Sequence, residues 1–199
     1  YVSPLAYVRT NVEGTYNVLQ AAKMLKTKNV LVTSTSETYG TAQYVPMDER
    51  HPMVGQSPYS ASKIGSDNLA VSYFRSFGTP VKIVRPFNIY GPRQSARAII
   101  PSVIVQILNG QRQLKLGNID PTRDLTFVKD TASGFLEIAA HDELNGEYVN
   151  IGMNHEISVC DLVKKIASLM KVEVEIISDR ERVRPVQSEV ERLFCNNSK

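Results

Sequence analysis

Residues 57–92 read SPYSASKIGSDNLAVSYFRSFGTPVKIVRPFNIYGP, and this stretch decides the fold. Ser57-Pro58 sets a capping hydroxyl before a proline at the first helical position, and Ala70, Tyr73, Phe74 and Phe77 recur as an apolar stripe that closes at Gly78. That is a helix. Val81 to Arg85 follows as a run of buried-strand character, and Pro86-Phe87-Asn88-Ile89-Tyr90-Gly91-Pro92 as a loop. The same order lies upstream. Ser3-Pro4 opens a segment with Leu5, Val8, Val12, Leu19 and Ala22 at helical spacing to about Lys26. Val30 to Ser34 is then a second strand, followed by a small-polar stretch ending at Gly40. Helix, strand, helix, strand predicts parallel pairing with crossover helices, the α/β class.

Downstream the texture changes. Helices are expected over 99–108, from Lys129 to about His141, and from Ser158 with Asp161 as a capping-box-like start. Short strands are expected at 113–116, 148–151 and 172–176. The reading is a Rossmann-like parallel sheet over 1–91 and a smaller mixed lobe over 92–199, without a linker to sharpen the boundary.

Composition sets the outer limits. With 42% hydrophobic residues and 199 positions, the chain supports a real core. Its 23 basic and 20 acidic residues leave a net charge of +3, too small to make nucleic acid or an anionic membrane the expected partner. No apolar run approaches the ~20 residues of a membrane span. Cys160 and Cys195 match no zinc spacing and fit reduced thiols in a cytoplasmic setting.

In parallel α/β sheets, ligands bind beyond the carboxyl ends of the strands, so chemistry is sought in the loops after the two strands. The first loop, Thr33 to Gly40, concentrates hydroxyls around one carboxylate, Glu37. Its alternative reading is a turn whose hydroxyls satisfy backbone groups. Tyr59 and Lys63, four residues apart, share one helix face, where an ammonium is expected to lower the phenol toward general-base range. His51, His141 and His155 match no motif.

The ordered set Asn11-Val12-Glu13-Gly14-Thr15, Thr33 to Gly40, Tyr59-Ser60-Ala61-Ser62-Lys63, Arg85 to Pro92 and Arg123-Asp124 resembles the extended short-chain dehydrogenase/reductase superfamily, specifically its NAD-dependent epimerase/dehydratase members. Residues 56–63, 93–97 and 188–192 resemble the N-acetylglucosamine-nucleotide 4,6-dehydratases of nonulosonic acid pathways. The resemblance implies NAD as cofactor, a nucleotide-diphosphate sugar as substrate, and a homodimer. It implies catalytic roles for Thr35, Ser36, Glu37, Tyr59 and Lys63, and cofactor contacts from Asn11, Thr33, Tyr59, Lys63, Pro86 and Asn88. It also implies substrate contacts from Thr35, Asn88, Arg93, Arg123 and Arg184, with Arg97 a weaker candidate and no metal. Many hexose dehydratases carry Asp where Ser36 stands. The Ser-Glu version resembles GDP-mannose dehydratases, which assigns both base and acid work to Glu37.

One feature departs from that pattern. The Gly-x-x-Gly-x-x-Gly turn that binds pyrophosphate at a helix N-terminus is absent from these 199 residues, so the expectation is a fragment lacking its first βαβ units and inactive alone. UDP-glucuronate decarboxylase, a nucleotide-sugar 4-epimerase and a catalytically silent dinucleotide-binding relative remain as alternatives.

Overall fold

The computed structural model describes residues 3–179 and 186–199. The chain enters through α1 (Pro4–Tyr7), passes through a π-helical turn (Val8–Glu13) and continues as α2 (Gly14–Leu25), which Lys26 ends in the left-handed region. Ser3 makes no side-chain cap bond here, unlike the sequence expectation, and the single expected helix carries a π segment at Asn11. β1 (Val30–Thr33) follows, then a 3₁₀ turn (Ser36–Tyr39), α3 (Pro58–Phe77) and β2 (Val81–Pro86). At the start of α3, Ser57 Oγ accepts from the Ser60 amide and Ser60 Oγ accepts from the Ser57 amide, a reciprocal cap. Gly78 closes the helix at φ +65°.

The second half contains β3 (Asn88–Tyr90), α4 (Ile99–Leu108), β4 (Gln113–Leu116), β5 (Thr122–Phe127) and α5 (Val128–Ala140). It ends with β6 (Tyr148–Ile151), β7 (Glu156–Ser158), α6 (Val159–Leu169) and β8 (Glu175–Ser178). Among the described residues three sheets form. β1-β2-β6 is all parallel; β3-β5-β7 pairs parallel then antiparallel; β4-β8 is parallel. The chain thus returns to the first sheet through β6, which aligns Asn150 with Arg85.

That first sheet is covered on both faces, which explains why its strands read as unbroken apolar runs. Leu19, Ala22, Ala70 and Val71 of α2 and α3 pack on Val30, Val32, Val81 and Ile83. Val84, Val149 and Ile138 meet on the opposite face under α5. A separate core joins α4, β4 and α6 through Val103, Ile107, Leu114, Leu116 and Val163. Three strand readings shift. Asn88–Tyr90 is a strand rather than loop, Arg123-Asp124 sits in a strand, and the strand expected at 172–176 begins at Glu175. Val172 and Val174 alternate because they pack on the second core, not because they lie in a ladder.

Candidate active site

The catalytic candidates meet at the carboxyl end of β1. Thr35 is the N-cap of the 3₁₀ turn, its hydroxyl accepting the Glu37 amide at 3.3 Å. Gly40 ends that turn at φ +67°, a backbone conformation that strains any residue with a side chain, and Gln56 Oε1 and the Val54 carbonyl close over the space a Cβ would take. The turn faces the first turns of α3, where the Thr35 hydroxyl and the Glu37 carboxylate both lie close enough to the Tyr59 phenol to act on its ionisation. One turn on, the Lys63 ammonium donates to the Thr33 carbonyl at 2.6 Å. Thr33, Thr35, Glu37, Tyr59 and Lys63 therefore occupy one sheet edge. Ser36 does not join them, being only 2% exposed beneath the turn.

The electrostatics differ from the sequence expectation. Burial raises the Tyr59 phenol above its ordinary value, the Glu37 carboxylate adds to this, and the Thr35 hydrogen bond works against it. Lys63 is engaged by the Thr33 carbonyl, and burial lowers its ammonium while Asp67 opposes the fall. Tyr7 packs edge-on to Tyr59 with ring centroids 5.7 Å apart. Asn11, in the π turn, donates to Ser62 Oγ at 2.9 Å, which ties the first helix to α3 between Tyr59 and Lys63.

Across β3 and β5 lies a cavity of about 350 Å³ lined by Asn88, Gln94, Arg97, Arg123 and Glu189 among others. Pro86 ends β2 on the way to Asn88 and is buried. Asn88 Oδ1 and Gln94 Oε1, on two residues that line this cavity, are buried without a hydrogen-bond partner among the described residues. Arg123 pairs with Glu189 at 3.4 Å. Arg93 is exposed at φ +68° and is not among the cavity residues; Arg97 is. Arg184 lies outside the described residues. Sequence reasoning gave no site role to Gln94 or Glu189, although both lie in the 93–97 and 188–192 stretches that carry the resemblance. It also missed Asp67, which did carry a signal, an acidic residue one turn beyond Lys63 on the same helix face.

A doubly covered parallel sheet with a Tyr-x-x-x-Lys helix at its carboxyl edge defines a Rossmann-like α/β protein of the extended short-chain dehydrogenase/reductase type. The chain belongs to the GDP-mannose 4,6-dehydratase family, whose model matches residues 1–199. A dTDP-D-glucose 4,6-dehydratase of Dictyostelium discoideum is 35% identical over 176 residues, covering 83% of this chain and 40% of that protein. The solved structure of DesIV, a dTDP-glucose 4,6-dehydratase from Streptomyces venezuelae with NAD and TYD bound, superposes with a TM-score of 0.87 at 29% identity. That match covers 98% of this chain and 60% of that one. A UDP-N-acetylglucosamine 4-epimerase from Methanobrevibacter ruminantium, in complex with UDP-N-acetylmuramic acid, superposes with a TM-score of 0.88 at 26% identity, over 99% and 63% of the two chains. The chain thus spans between two and about three fifths of these proteins. Among the described residues no helix is long and apolar enough to cross a membrane.

Proposed function

We propose that this chain is the catalytic and substrate-binding part of an NAD-dependent nucleotide-sugar 4,6-dehydratase, which converts a nucleotide-diphosphate hexose to its 4-keto-6-deoxy derivative. The observation that carries the reading is the convergence of Thr35, Glu37, Tyr59 and Lys63 at one sheet edge, in a chain that also offers a cavity with Asn88 and Arg123. Tyr59 takes the proton from the sugar O4, and Thr35 hydrogen-bonds that oxygen. Once C4 is a ketone, Glu37 removes the acidified C5 proton and delivers a proton to the departing C6 hydroxyl, which leaves as water; C5 then regains a proton, the equivalent of the one taken from O4, as C6 becomes a methyl group. NAD, when bound, supplies the hydride acceptor at C4 and the donor at C6. The chain's residues suit that cofactor: Lys63 uses one of three donors on Thr33, leaving two for ribose hydroxyls, and Asn11, Thr33, Pro86 and Asn88 are the further contacts this reading assigns to it. Asn88 and Arg123 face the cavity, where a guanidinium fork suits a diphosphate. Arg184 belongs to the same reading as a diphosphate contact, while Arg93 points to no part of the cavity lining.

In this reading residues 1–91 carry the C-terminal half of the NAD-binding domain with the catalytic groups and 92–199 mostly the sugar-nucleotide lobe, apart from α5 and β6, which complete the first sheet, in a cytoplasmic homodimer. The test is incubation of the full-length protein with NAD and a panel of UDP-, GDP- and dTDP-hexoses, with products identified by mass. Loss of one water supports the reading. A pentose product favours the decarboxylase, and an isomer of unchanged mass the epimerase.

A further inference from the structure

Beneath the catalytic cluster lies a charged group that the dehydratase reading does not use. Tyr59, Lys63 and Asp67 stand at i, i+4 and i+8, on one face of α3. Asp67 has no exposed surface. Its Oδ2 accepts from Ser34 Oγ at 2.8 Å, from Arg85 Nε at 3.0 Å and from Arg85 Nη2 at 2.8 Å. Arg85, on the central strand β2, is itself wholly buried and lies over the rings of Tyr148 and Tyr39, 3.9 and 4.9 Å from their centroids. Burial raises the Asp67 carboxyl and Arg85 and Ser34 pull against it. The guanidinium keeps its proton, and three donors on one oxygen mark the ionised acceptor.

An ion pair this deep is weak evidence for stability, because desolvation offsets most of the attraction and a well-packed apolar pair serves as well. Its position suggests another use. Ser34 is the residue between Thr33, whose carbonyl holds Lys63, and Thr35, whose hydroxyl meets Tyr59. A hydrogen bond from Ser34 to Asp67 therefore pins the end of β1 to α3 at the level of both catalytic contacts.

We propose that Asp67 is a positioning residue: through Ser34 it fixes the Thr33 carbonyl and the Thr35 hydroxyl against Lys63 and Tyr59, and it supplies the fixed counter-charge beneath Lys63. The charged and titratable surroundings agree. Lys63 is lowered by burial and supported by Asp67. Tyr59 faces Glu37 from the loop after β1, Tyr7 from α1, and Asp67 from its own helix, all of which raise it. Asp67 faces Arg85 from β2, Ser34 from the loop that follows β1, and Lys63 from its own helix. Only the kinetic consequence rests on the dehydratase reading.

The test uses the full-length protein and two variants. Ser34→Ala removes the strut and keeps the ion pair; Asp67→Asn removes the charge. Competitive acetylation of Lys63 across pH, read by mass spectrometry, needs no substrate. The labelling curve of Asp67→Asn is expected to move to lower pH, and that of Ser34→Ala to move the same way by less, because it loosens the Thr33 acceptor and keeps the counter-charge. On the sugar nucleotide, Ser34→Ala is expected to lose about tenfold in kcat with KM little changed, as misplacement of two reacting contacts demands. The acid limb of kcat/KM in Asp67→Asn is expected to move to lower pH, because loss of the carboxylate eases ionisation of Tyr59. If Asp67→Asn fails to fold, the paired change of Asp67→Asn with Arg85→Gln removes both charges and carries the same labelling prediction. Variants that lower only the thermal midpoint, with kcat and the Lys63 curve unchanged, overturn the proposal. A wild-type protein inactive on every sugar nucleotide defeats the dehydratase reading instead, while the labelling curves still decide the role of Asp67.

Discussion

Asp67 lies under the catalytic cluster and Asp124 in the second lobe behind Arg123, and neither has any exposed surface, yet they are compensated by different means. Asp67 is met by a guanidinium from β2 and a hydroxyl from the loop that follows β1. Asp124 is met by backbone amides, accepting from Met153 at 2.8 Å, His155 at 3.3 Å and Cys195 at 3.2 Å. Burial raises the Asp124 carboxyl, and those amides oppose the rise. A side-chain cation brings a second buried charge that must itself be satisfied, so the first half of the site stands on an interdependent pair. Backbone amides bring no such liability, and here they knit the 152–155 turn and the C-terminal segment to β5, which presents Arg123. The catalytic half is thus tight and mutually dependent, the binding half distributed.

The largest expected effect breaks the catalytic half alone. In the full-length protein, Tyr59→Phe is expected to lower kcat by about 10²–10⁴-fold, the range of a general base, while sugar-nucleotide binding measured by calorimetry stays near wild type. Loss of binding in parallel with kcat would mean the two halves are not separable.

Next in size is the contrast between the two aspartates. Asp67→Ala leaves Arg85 buried and unpaired and is expected to cost about 3–5 kcal/mol in urea unfolding. Asp124→Ala strands amide donors without stranding a charge, and about 1–3 kcal/mol is expected. Equal losses would show that Arg85 finds other partners, such as the rings of Tyr39 and Tyr148.

The third change sharpens the binding side. Arg123→Ala is expected to raise KM for the sugar nucleotide by about ten- to a hundredfold, the size of a charge-assisted contact, with kcat within a few-fold. A fall in kcat with unchanged KM would move Arg123 to the catalytic half.

The smallest effect concerns the C-terminal segment, which Arg192 fastens to Glu156 together with a 2.6 Å bond from Thr122 Oγ1. These partners hold the Glu156 carboxyl below its usual range. Its contribution to stability is therefore present above the ordinary glutamate value of ~4.3 and lost as pH falls through its lower folded value. Glu156→Gln is expected to cost no more than about 1 kcal/mol at neutral pH, as for exposed pairs, and to flatten the acid side of the thermal-midpoint curve. An unchanged acid limb would place the segment's anchorage elsewhere, in the Thr41 contacts with Glu189 and Glu191.

Much of this was local enough to read from the chain. Ser57-Pro58, Ser60 and Gly78 bound α3 within its own residues, and Tyr59 and Lys63 share a face because four residues make about one turn. The two buried strands announced themselves by unbroken apolar runs, since a sheet covered on both faces has no polar side to alternate with. The family motifs likewise lie in short continuous stretches.

What escaped the sequence depends on chain paths that no window contains. Asn88–Tyr90 and Glu156–Ser158 are strands only because β5 passes between them. Glu189 reaches Arg123 from 66 residues away, and Arg85 meets Asp67 across the α3-β2 turn with a charge whose sign, but not whose partner, the sequence contains. The rise of the Tyr59 phenol follows the same rule. Spacing places Lys63 on its face, whereas burial and the approach of Glu37, which tertiary packing alone decides, set the direction. Local geometry is written in neighbouring residues because backbone bonds and caps act over a turn or two. Desolvation and charge pairing depend on everything the fold brings within a few ångströms, and only the folded chain determines that.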